Sequence, residues 1–148
     1  MDLVPQVHLA ICAVANAVGS DTTHSTLQHG TVRLCTADIA YDINTTLADI
    51  NSNSPTYQGY ADGTATFAAP NLSADGVVES LGSVHEFRPT GSDSPNTIFG
   101  LGFILGDGSL GFTGRFDNAP IPMVDTTSVI QLTLRYRPEQ DGIVSVID

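Results

Sequence analysis

The stretch IFGLGFILGDGSLGFTGRF, residues 98–116, decides the fold class of this chain. Its first half, residues 98–105, is apolar on both faces of a strand, which is typical of a central strand covered on both sides. The Gly-Asp-Gly-Ser sequence at residues 106–109 supplies residue types that tolerate the positive φ of tight turns. Beyond it, apolar Leu110 and Phe112 alternate with polar residues. The stretch therefore predicts an antiparallel β-hairpin.

The same two-residue alternation continues through most of the chain. Residues 128–137 place apolar side chains on one face and polar ones on the other, which indicates a half-buried antiparallel strand. Turn-forming Asp-Gly pairs fall between shorter runs of this kind. The runs are residues 56–61, 64–68 and 77–87, and the pairs begin at Asp62, Asp75 and Asp141. About seven or eight strands between residues 31 and 138 fit an all-β sandwich or barrel.

The first 30 residues show a helical period instead. Apolar residues recur there at steps of three and four, which places them on one stripe of a helix. They are Val4, Val7, Ile11, Val14 and Val18. Gly19 ends the predicted helix, and polar residues 20–30 form a predicted linker. Because the apolar run 9–18 is about half the length that crosses a bilayer and lacks a basic n-region, with Asp2 the only charge before it, neither a membrane anchor nor an export signal is expected.

These patterns divide the chain into three parts. Residues 1–30 are predicted to form an N-terminal amphipathic helix or arm with its linker, residues 31–138 a single antiparallel β-sandwich or barrel, and residues 139–148 a C-terminal tail. A chain of 148 residues is long enough to bury a core of its own without a metal or a disulfide framework. The predicted fold class is therefore mainly β.

The ionisable residues are few and unbalanced. Five arginines and no lysine stand against sixteen acidic residues, which gives a formal net charge of -11. A field of this sign repels phosphate backbones and anionic lipids. No binding to nucleic acid or to a membrane is expected.

No motif in the sequence predicts catalysis. The chain has no phosphate-binding loop, no GxGxxG segment that opens a helix and no GxSxG elbow. Strand alternation sends His85 and Glu86 to opposite faces, so they are not a ready acid–base pair. No spacing of histidine or cysteine matches a metal site, and no cofactor is predicted. Cys12 and Cys35 are interpreted as buried free thiols, although their pairing stays open.

Several short segments resemble, in order and spacing, small virion structural proteins of tailed bacteriophages. Those proteins carry a stretch of the form LADF…F.GYA after the first strand, N.IYG at the entry to a central strand, and RF before a long final strand. The matching segments here are Thr46-Leu47-Ala48-Asp49-Ile50, Tyr57-Gln58-Gly59-Tyr60-Ala61, Asn96-Thr97-Ile98-Phe99-Gly100, Gly114-Arg115-Phe116 and residues 130–136. The resemblance spans residues 31–138.

The resemblance implies a capsid decoration or cement protein on the capsid exterior, assembled with the virion in the host cytoplasm. Such a protein binds the major capsid protein and stabilises contacts between its subunits. A homo-oligomer is implied, with a trimer favoured, and many weak contacts would add through avidity. The alternative is a structural or receptor-binding subunit of a tail fibre, baseplate or connector. A small hydrolase on a β-sandwich would need an acid–base pair from distant strands, and no motif supports one.

Three groups of residues are predicted to contact the partner. The apolar stripe of the N-terminal arm fits a groove, and an apolar run near the C-terminus can add as a strand to another chain's sheet. Two arginines on the polar face of the last strand can bind carboxylates. Packing of both apolar segments on their own domain is the alternative. The predicted residues are Val4, Val7, Ile11, Val14, Arg135, Arg137, Ile143, Val144, Val146 and Ile147.

Overall fold

The computed structural model describes residues 2–5, 29–66, 71–72, 78–136 and 144–147, which are mostly strands and the loops that join them. Within these ranges there are eleven strands and one helix, α1 (Leu47–Ser52), which lies between the second and third strands. The strands are β1 (Asp2–Pro5), β2 (His29–Cys35), β3 (Gly63–Thr66), β4 (Asn71–Leu72), β5 (Val78–Phe87), β6 (Asn96–Ile98), β7 (Gly100–Leu105), β8 (Leu110–Arg115), β9 (Ile121–Met123), β10 (Ile130–Tyr136) and β11 (Val144–Ile147).

The strands form one large sheet and one small sheet. The large sheet has nine strands in the order β3-β2-β7-β8-β1-β11-β10-β5-β4, and β6 pairs with β9 in a sheet of two. All of these pairings are antiparallel. The prediction of a mainly β, antiparallel fold is confirmed.

The hairpin predicted at residues 98–116 is central to the large sheet. Its first strand, β7, pairs with β8 on one side and with β2 on the other. Its turn contains Gly108 at φ 89°, and the Ser109 N–H donates to Asp107 Oδ1 at 2.9 Å. Phe103 and Phe112 are buried opposite each other, with ring centroids 5.5 Å apart. The turn residues and the alternation after them therefore predicted the hairpin correctly, and the apolar residues on both faces of residues 98–105 predicted its central position.

The N-terminus begins as a strand and not as the predicted helix. In β1, Leu3 pairs with Val144 of β11, and Val4 pairs with Thr113 of β8. β1 therefore satisfies backbone N–H and C=O groups of two neighbouring strands at once, which a helix cannot do. The prediction of a helix from Val4 onward is wrong at these first residues. The rest of the predicted stripe, within residues 7–18, lies outside the described residues.

The C-terminal tail also contributes a strand to the large sheet. β11 pairs with β10 on one side and with β1 on the other. This pairing agrees with the alternative prediction, in which the apolar C-terminal run packs on its own domain. At the other end, β2 begins at His29, inside the predicted linker. Strands beyond both predicted limits, residues 31 and 138, therefore belong to the sheet.

The larger of two apolar clusters draws on both halves of the large sheet. β2, β7 and β8 contribute from one half, and β5 and β10 contribute from the other. Its most buried side chains include Val32, Leu34, Leu101, Phe103, Phe112, Leu132 and Leu134. Full burial of one such side chain contributes about 1.5–3 kcal/mol relative to exposure. The two halves of the large sheet are therefore joined by one shared apolar core as well as by the hydrogen bonds between strands.

A smaller cluster lies beneath α1. It consists of Cys35, Tyr41, Ile50 and Leu110. Cys35 is buried and free, which confirms that part of the cysteine prediction, whereas Cys12 lies outside the described residues. Ile50 is the residue through which α1 enters this cluster. A Cβ on Gly102 would lie 3.0 Å from the Ile50 side chain, so the glycine of β7 makes room for the helix.

The helix α1 was not predicted, although its start is encoded locally. Thr46 is its N-cap, and the Thr46 hydroxyl accepts a hydrogen bond from the Asp49 N–H at 3.2 Å. The Asp49 carboxylate accepts in return from the Thr46 N–H at 2.9 Å. This reciprocal capping box satisfies two backbone donors that the first turn would otherwise leave unpaired. A threonine followed three residues later by an acid was the available signal.

Candidate interaction surface

The residues predicted to contact a partner are distributed over separate strands. Val4 lies in β1, between β8 and β11. Arg135 lies in β10, where its backbone is opposite Leu81 of β5 and Ser145 of β11. Three further positions lie in β11: Val144, Val146 and Ile147. The remaining five lie outside the described residues: Val7, Ile11, Val14, Arg137 and Ile143. The described positions therefore lie on three consecutive strands of the large sheet, β1, β11 and β10.

Two of the segments that resemble phage proteins are joined directly by Asn96. Its side-chain Oδ1 accepts hydrogen bonds from the backbone N–H groups of Thr56 and Tyr57, at 2.5 and 2.7 Å. Its Nδ2 group donates to Thr56 Oγ1 at 3.2 Å. Asn96 is the first residue of β6, and Tyr57 lies 39 residues earlier in the chain. A single side chain therefore holds the turn after α1 against the small sheet.

The turn after α1 is shaped by Gly59, which has φ 81°. A Cβ at this position would overlap the Thr90 side chain, so the close approach also requires glycine. The Thr90 N–H donates to the Gln58 carbonyl at 2.9 Å, which fixes the turn on the loop after β5. The alternation in residues 56–61 predicted a strand here. That prediction is wrong, because the left-handed backbone at Gly59 turns the chain.

The most enclosed ion pair among the described residues joins β2 to the residue before β3. Arg33 donates from Nε to Asp62 Oδ1 at 3.1 Å and from Nη2 to Asp62 Oδ2 at 2.7 Å. Its Nη1 donates to the side-chain oxygen of Asn51 in α1. The Tyr60 hydroxyl donates to Asp62 Oδ1 at 2.8 Å and accepts from the Leu34 N–H at 3.0 Å. We call Arg33, Asn51, Tyr60 and Asp62 the Arg33 joint.

The environment of the Arg33 joint favours the charged form of its two ionised members. Partial burial would by itself raise the pKa of the Asp62 carboxyl, but the hydrogen bonds from Arg33 and Tyr60 outweigh burial and hold that pKa below its usual value. The hydrogen bond with Asp62 raises the pKa of the Arg33 guanidinium. Burial raises the pKa of the Tyr60 hydroxyl. The Asp-Gly pair at Asp62 predicted a turn, but the turn lies at Gly59 and Asp62 serves as the acceptor for Arg33.

A second ion pair belongs to the segment Gly114-Arg115-Phe116. Arg115 donates from Nη1 to Asp38 Oδ1 at 2.7 Å and to the Ile39 carbonyl at 3.3 Å. Its guanidinium carbon lies 5.2 Å from the centre of the Phe99 ring, which is a cation–π arrangement. Arg115 therefore ties the loop after β2 to the end of β8.

His85 lies where β3 approaches β5. A Cβ on Gly63 of β3 would lie 2.7 Å from the His85 ring, which also packs edge-on against Phe87 at 4.5 Å between centroids. His85 is half-buried, whereas Glu86 is exposed. The prediction that the two side chains point to opposite faces is confirmed. The geometry gives His85 a packing role between two strands.

Four large apolar side chains in the described part of the chain are strongly exposed: Ile43 at 72%, Val84 at 62%, Val124 at 44% and Val129 at 42%. Val84 of β5 is opposite Thr133 of β10, and Glu86 is opposite Gln131. Arg88 directly follows β5 and Val129 directly precedes β10, and both side chains are exposed. We call the six residues that point outward here the β5–β10 outer face: Val84, Glu86, Arg88, Val129, Gln131 and Thr133.

The charges on the β5–β10 outer face cancel. Arg88 donates from Nε to Glu86 Oε1 at 3.0 Å, and from Nη1 to the Thr126 carbonyl at 2.8 Å. The face therefore carries one acid and one base in a contact pair, together with two valines and two neutral polar side chains. It is an electrically neutral strip on a strongly acidic chain.

Ile43 has a different setting, at the tip of a tight loop between buried Tyr41 and buried Thr45. The Asp42 N–H donates to Thr45 Oγ1 at 3.0 Å, and the Asn44 N–H donates to Asp42 Oδ1 at 2.8 Å. The loop is thus fixed by its own hydrogen bonds. The exposed isoleucine follows an exposed acid directly.

No protein-family model, curated protein or solved structure matches this chain. Over the ranges that the structure describes, no group of three or more His, Cys, Asp or Glu side chains is placed to hold a metal ion. In the same ranges, no helix has the length and apolar character needed to cross a membrane.

Proposed function

We propose that this chain is a non-enzymatic structural protein of a tailed-phage virion. In this proposal it is a decoration protein on the capsid exterior, which binds the major capsid protein and stabilises contacts between capsid subunits. The proposal starts from the resemblance of residues 31–138 to small virion proteins. The observation that carries it is the direct hydrogen bonding of Asn96 to the backbone of Thr56 and Tyr57.

Each short motif alone has low specificity for these virion proteins, so contact between two of the motifs adds support for the resemblance. Asn96 and Tyr57 belong to two different segments of the resemblance, and the structure brings them together. In addition, the guanidinium carbon of Arg115, in a third segment, lies 5.2 Å from the ring centre of Phe99, which belongs to the same segment as Asn96. Motif residues that contact one another constrain a shared fold more strongly than the same residues would separately.

The physical character of the surface supports attachment to a partner. The loops are held by side-chain hydrogen bonds, so little conformational entropy is lost when a rigid sheet face binds a partner. Exposed Val84 and Ile43 offer apolar area for such contact. The net charge of -11 keeps an outward-facing surface soluble and away from packaged DNA.

Binding of the purified chain to capsids tests the proposal. Capsids of the phage that encodes it, assembled without this chain, are mixed with increasing amounts of the protein and sedimented, and the bound copies are counted. A decoration protein saturates at copy numbers on the order of hundreds, in proportion to the capsid subunits. Saturation at a few copies, or absence of binding to capsids together with binding to purified tails, would contradict decoration and favour the fibre, baseplate or connector alternative.

A further inference from the structure

We propose that β1 is a detachable strap, which leaves the large sheet and returns to it while the other strands stay folded. In place, the strap covers an edge of β8 and an edge of β11, and its release uncovers both edges. The inference goes beyond the proposed function, because it describes the folded chain alone and requires neither a capsid nor a tail.

The place of β1 in the strand order makes it a strap. One group of four strands, β3-β2-β7-β8, lies on one side of β1, and a second group of four, β11-β10-β5-β4, lies on the other. Among the strands that the structure describes, β1 alone pairs with both groups, through β8 and β11. When β1 leaves, the backbone pairing within each group therefore remains complete.

The pairings that hold β1 are short. Asp2 and Leu3 pair with β11, whereas Val4 and Pro5 pair with β8. Each residue of β1 is thus in register with one of its two neighbours, and Pro5 has no N–H to donate. By contrast, β2 is in register with β7 along residues 30–35. Because the release of β1 breaks few backbone hydrogen bonds, it costs far less free energy than unfolding of the whole sheet.

The two groups of strands have other links that the release of β1 does not break. Phe103 of the first group and Leu132 of the second are buried in the same apolar cluster. The first group also contacts the second where β3 approaches β5, because the Thr66 N–H donates to Ser83 Oγ at 3.3 Å. The apolar core and this hydrogen bond hold the groups together when β1 is out. The opening is therefore local, and the rest of the fold persists.

Native-state hydrogen exchange of the full-length chain, followed by NMR, tests the proposal. We call the backbone N–H groups of β1, and those of residues 112–113 and 144–145 that point toward β1, the strap amides. They should exchange through release of the strap, at rates that low concentrations of urea leave unchanged. The amides of Leu101 and Phe103 in β7 have paired strands on both sides and should exchange at least about tenfold more slowly. Their rates should rise with urea, because their exchange requires global unfolding.

A disulfide lock shows whether release of β1 is the motion that exposes the strap amides. Leu3 is directly opposite Val144, and opposed residues of an antiparallel ladder have Cα atoms about 4.5–5.5 Å apart, within the range of disulfides. Oxidation of the double variant Leu3→Cys with Val144→Cys should slow exchange of the strap amides on residues 112–113 at least about tenfold. Reduction of the same molecule should restore the wild-type rates. Peptide mapping checks that the new bond joins positions 3 and 144.

The matched control places a disulfide elsewhere in the same sheet. Gln131 of β10 is directly opposite Glu86 of β5, and both side chains are exposed. The double variant Gln131→Cys with Glu86→Cys therefore adds a covalent bond that holds no part of β1. Its oxidation should leave the strap amides within about twofold of their wild-type rates. It separates the effect of holding β1 from a general effect of cross-linking the sheet.

Three results would overturn the proposal. The first is exchange of the strap amides in the wild-type chain that is no faster than that of Leu101 and Phe103, or that rises with urea in parallel with theirs. The second is an oxidised lock that leaves the strap amides unchanged, and the third is a control disulfide that slows them as much as the lock does. If the lock variant fails to fold, Val4→Cys with Thr113→Cys holds β1 to β8 instead.

Discussion

Two arginine–carboxylate pairs in this molecule use the same chemical groups with different consequences. Arg33 and Asp62 are 29 residues apart in the chain, and their side chains are 25% and 28% exposed. Arg88 and Glu86 are two residues apart, and their side chains are 46% and 48% exposed. The first pair connects α1, β2 and β3, whereas the second only neutralises a surface. Enclosure and chain separation, rather than residue type, decide what a charged pair contributes.

Removal of the Asp62 carboxylate should have the largest effect. Asp62→Ala leaves the Arg33 guanidinium and the Tyr60 hydroxyl without their acceptor in a largely enclosed position. We expect a loss of about 2–3 kcal/mol in the free energy of unfolding. Urea unfolding followed by circular dichroism measures it. A loss below about 0.5 kcal/mol would place this pair in the same class as exposed ion pairs.

Replacement of Gly59 should give the next largest loss in the free energy of unfolding. Gly59→Ala forces a Cβ into the Thr90 side chain at a backbone φ of 81°, and we expect a loss of about 2 kcal/mol. Gly108→Ala is the matched control, because Gly108 has φ 89° but nothing within 4 Å of an added Cβ. It should cost about 1 kcal/mol, from backbone strain alone. Adding Thr90→Ala to Gly59→Ala should recover part of the difference, and no recovery would contradict the steric explanation.

The acid dependence of stability sharpens the comparison further. Because the folded state holds the pKa of Asp62 below its unfolded value, the stabilisation is present above about pH 4 and is lost as pH falls through the folded-state pKa. Asp62→Asn should therefore show a flatter decrease of melting temperature below about pH 4 than the wild-type chain. Thermal unfolding from pH 7 down to the lowest pH at which the chain still folds measures the pH dependence of the melting temperature for the variant and for the wild-type chain. Parallel curves would show that Asp62 does not carry this dependence.

Removal of one partner of the exposed pair, Arg88 and Glu86, should give the smallest change in the free energy of unfolding. Glu86→Ala removes an acceptor whose partner remains in water and still donates to the Thr126 carbonyl. The free energy of unfolding should change by less than about 0.5 kcal/mol. The same urea titration as for Asp62→Ala provides the measurement. A loss comparable with that of Asp62→Ala would remove the distinction between the two pairs.

The parts of the fold that the sequence predicted are those encoded locally. Glycine and aspartate at residues 106–109 predicted the β7–β8 hairpin, and the apolar residues on both faces of residues 98–105 predicted its central position. The alternation in β10 likewise predicted that Leu132 is buried and Gln131 exposed. The helix α1 was equally local, since Thr46 and Asp49 form its capping box. It was missed because six residues are too few to show a helical period.

The parts that could not be predicted depend on contacts distant in sequence. β1 is a strand because β8 and β11 each present an edge to it, and nothing in residues 2–5 specifies those neighbours. The pairing of Arg33 with Asp62 spans 29 residues in the same way. The exposure of Val84 depends on which face of β5 packs on the core, and the alternation in residues 77–87 does not specify that face. The candidate surface was therefore visible only in the structure.

Double-mutant cycles on the two ion pairs test most directly the claim that enclosure decides the role of a charged pair. One cycle combines Arg33→Ala with Asp62→Ala, the other combines Arg88→Ala with Glu86→Ala, and each compares unfolding free energies of the single and double variants. We predict a coupling energy of about 2 kcal/mol for the first pair and below about 0.5 kcal/mol for the second. Equal coupling energies, or a larger value for Arg88 and Glu86, would contradict the account.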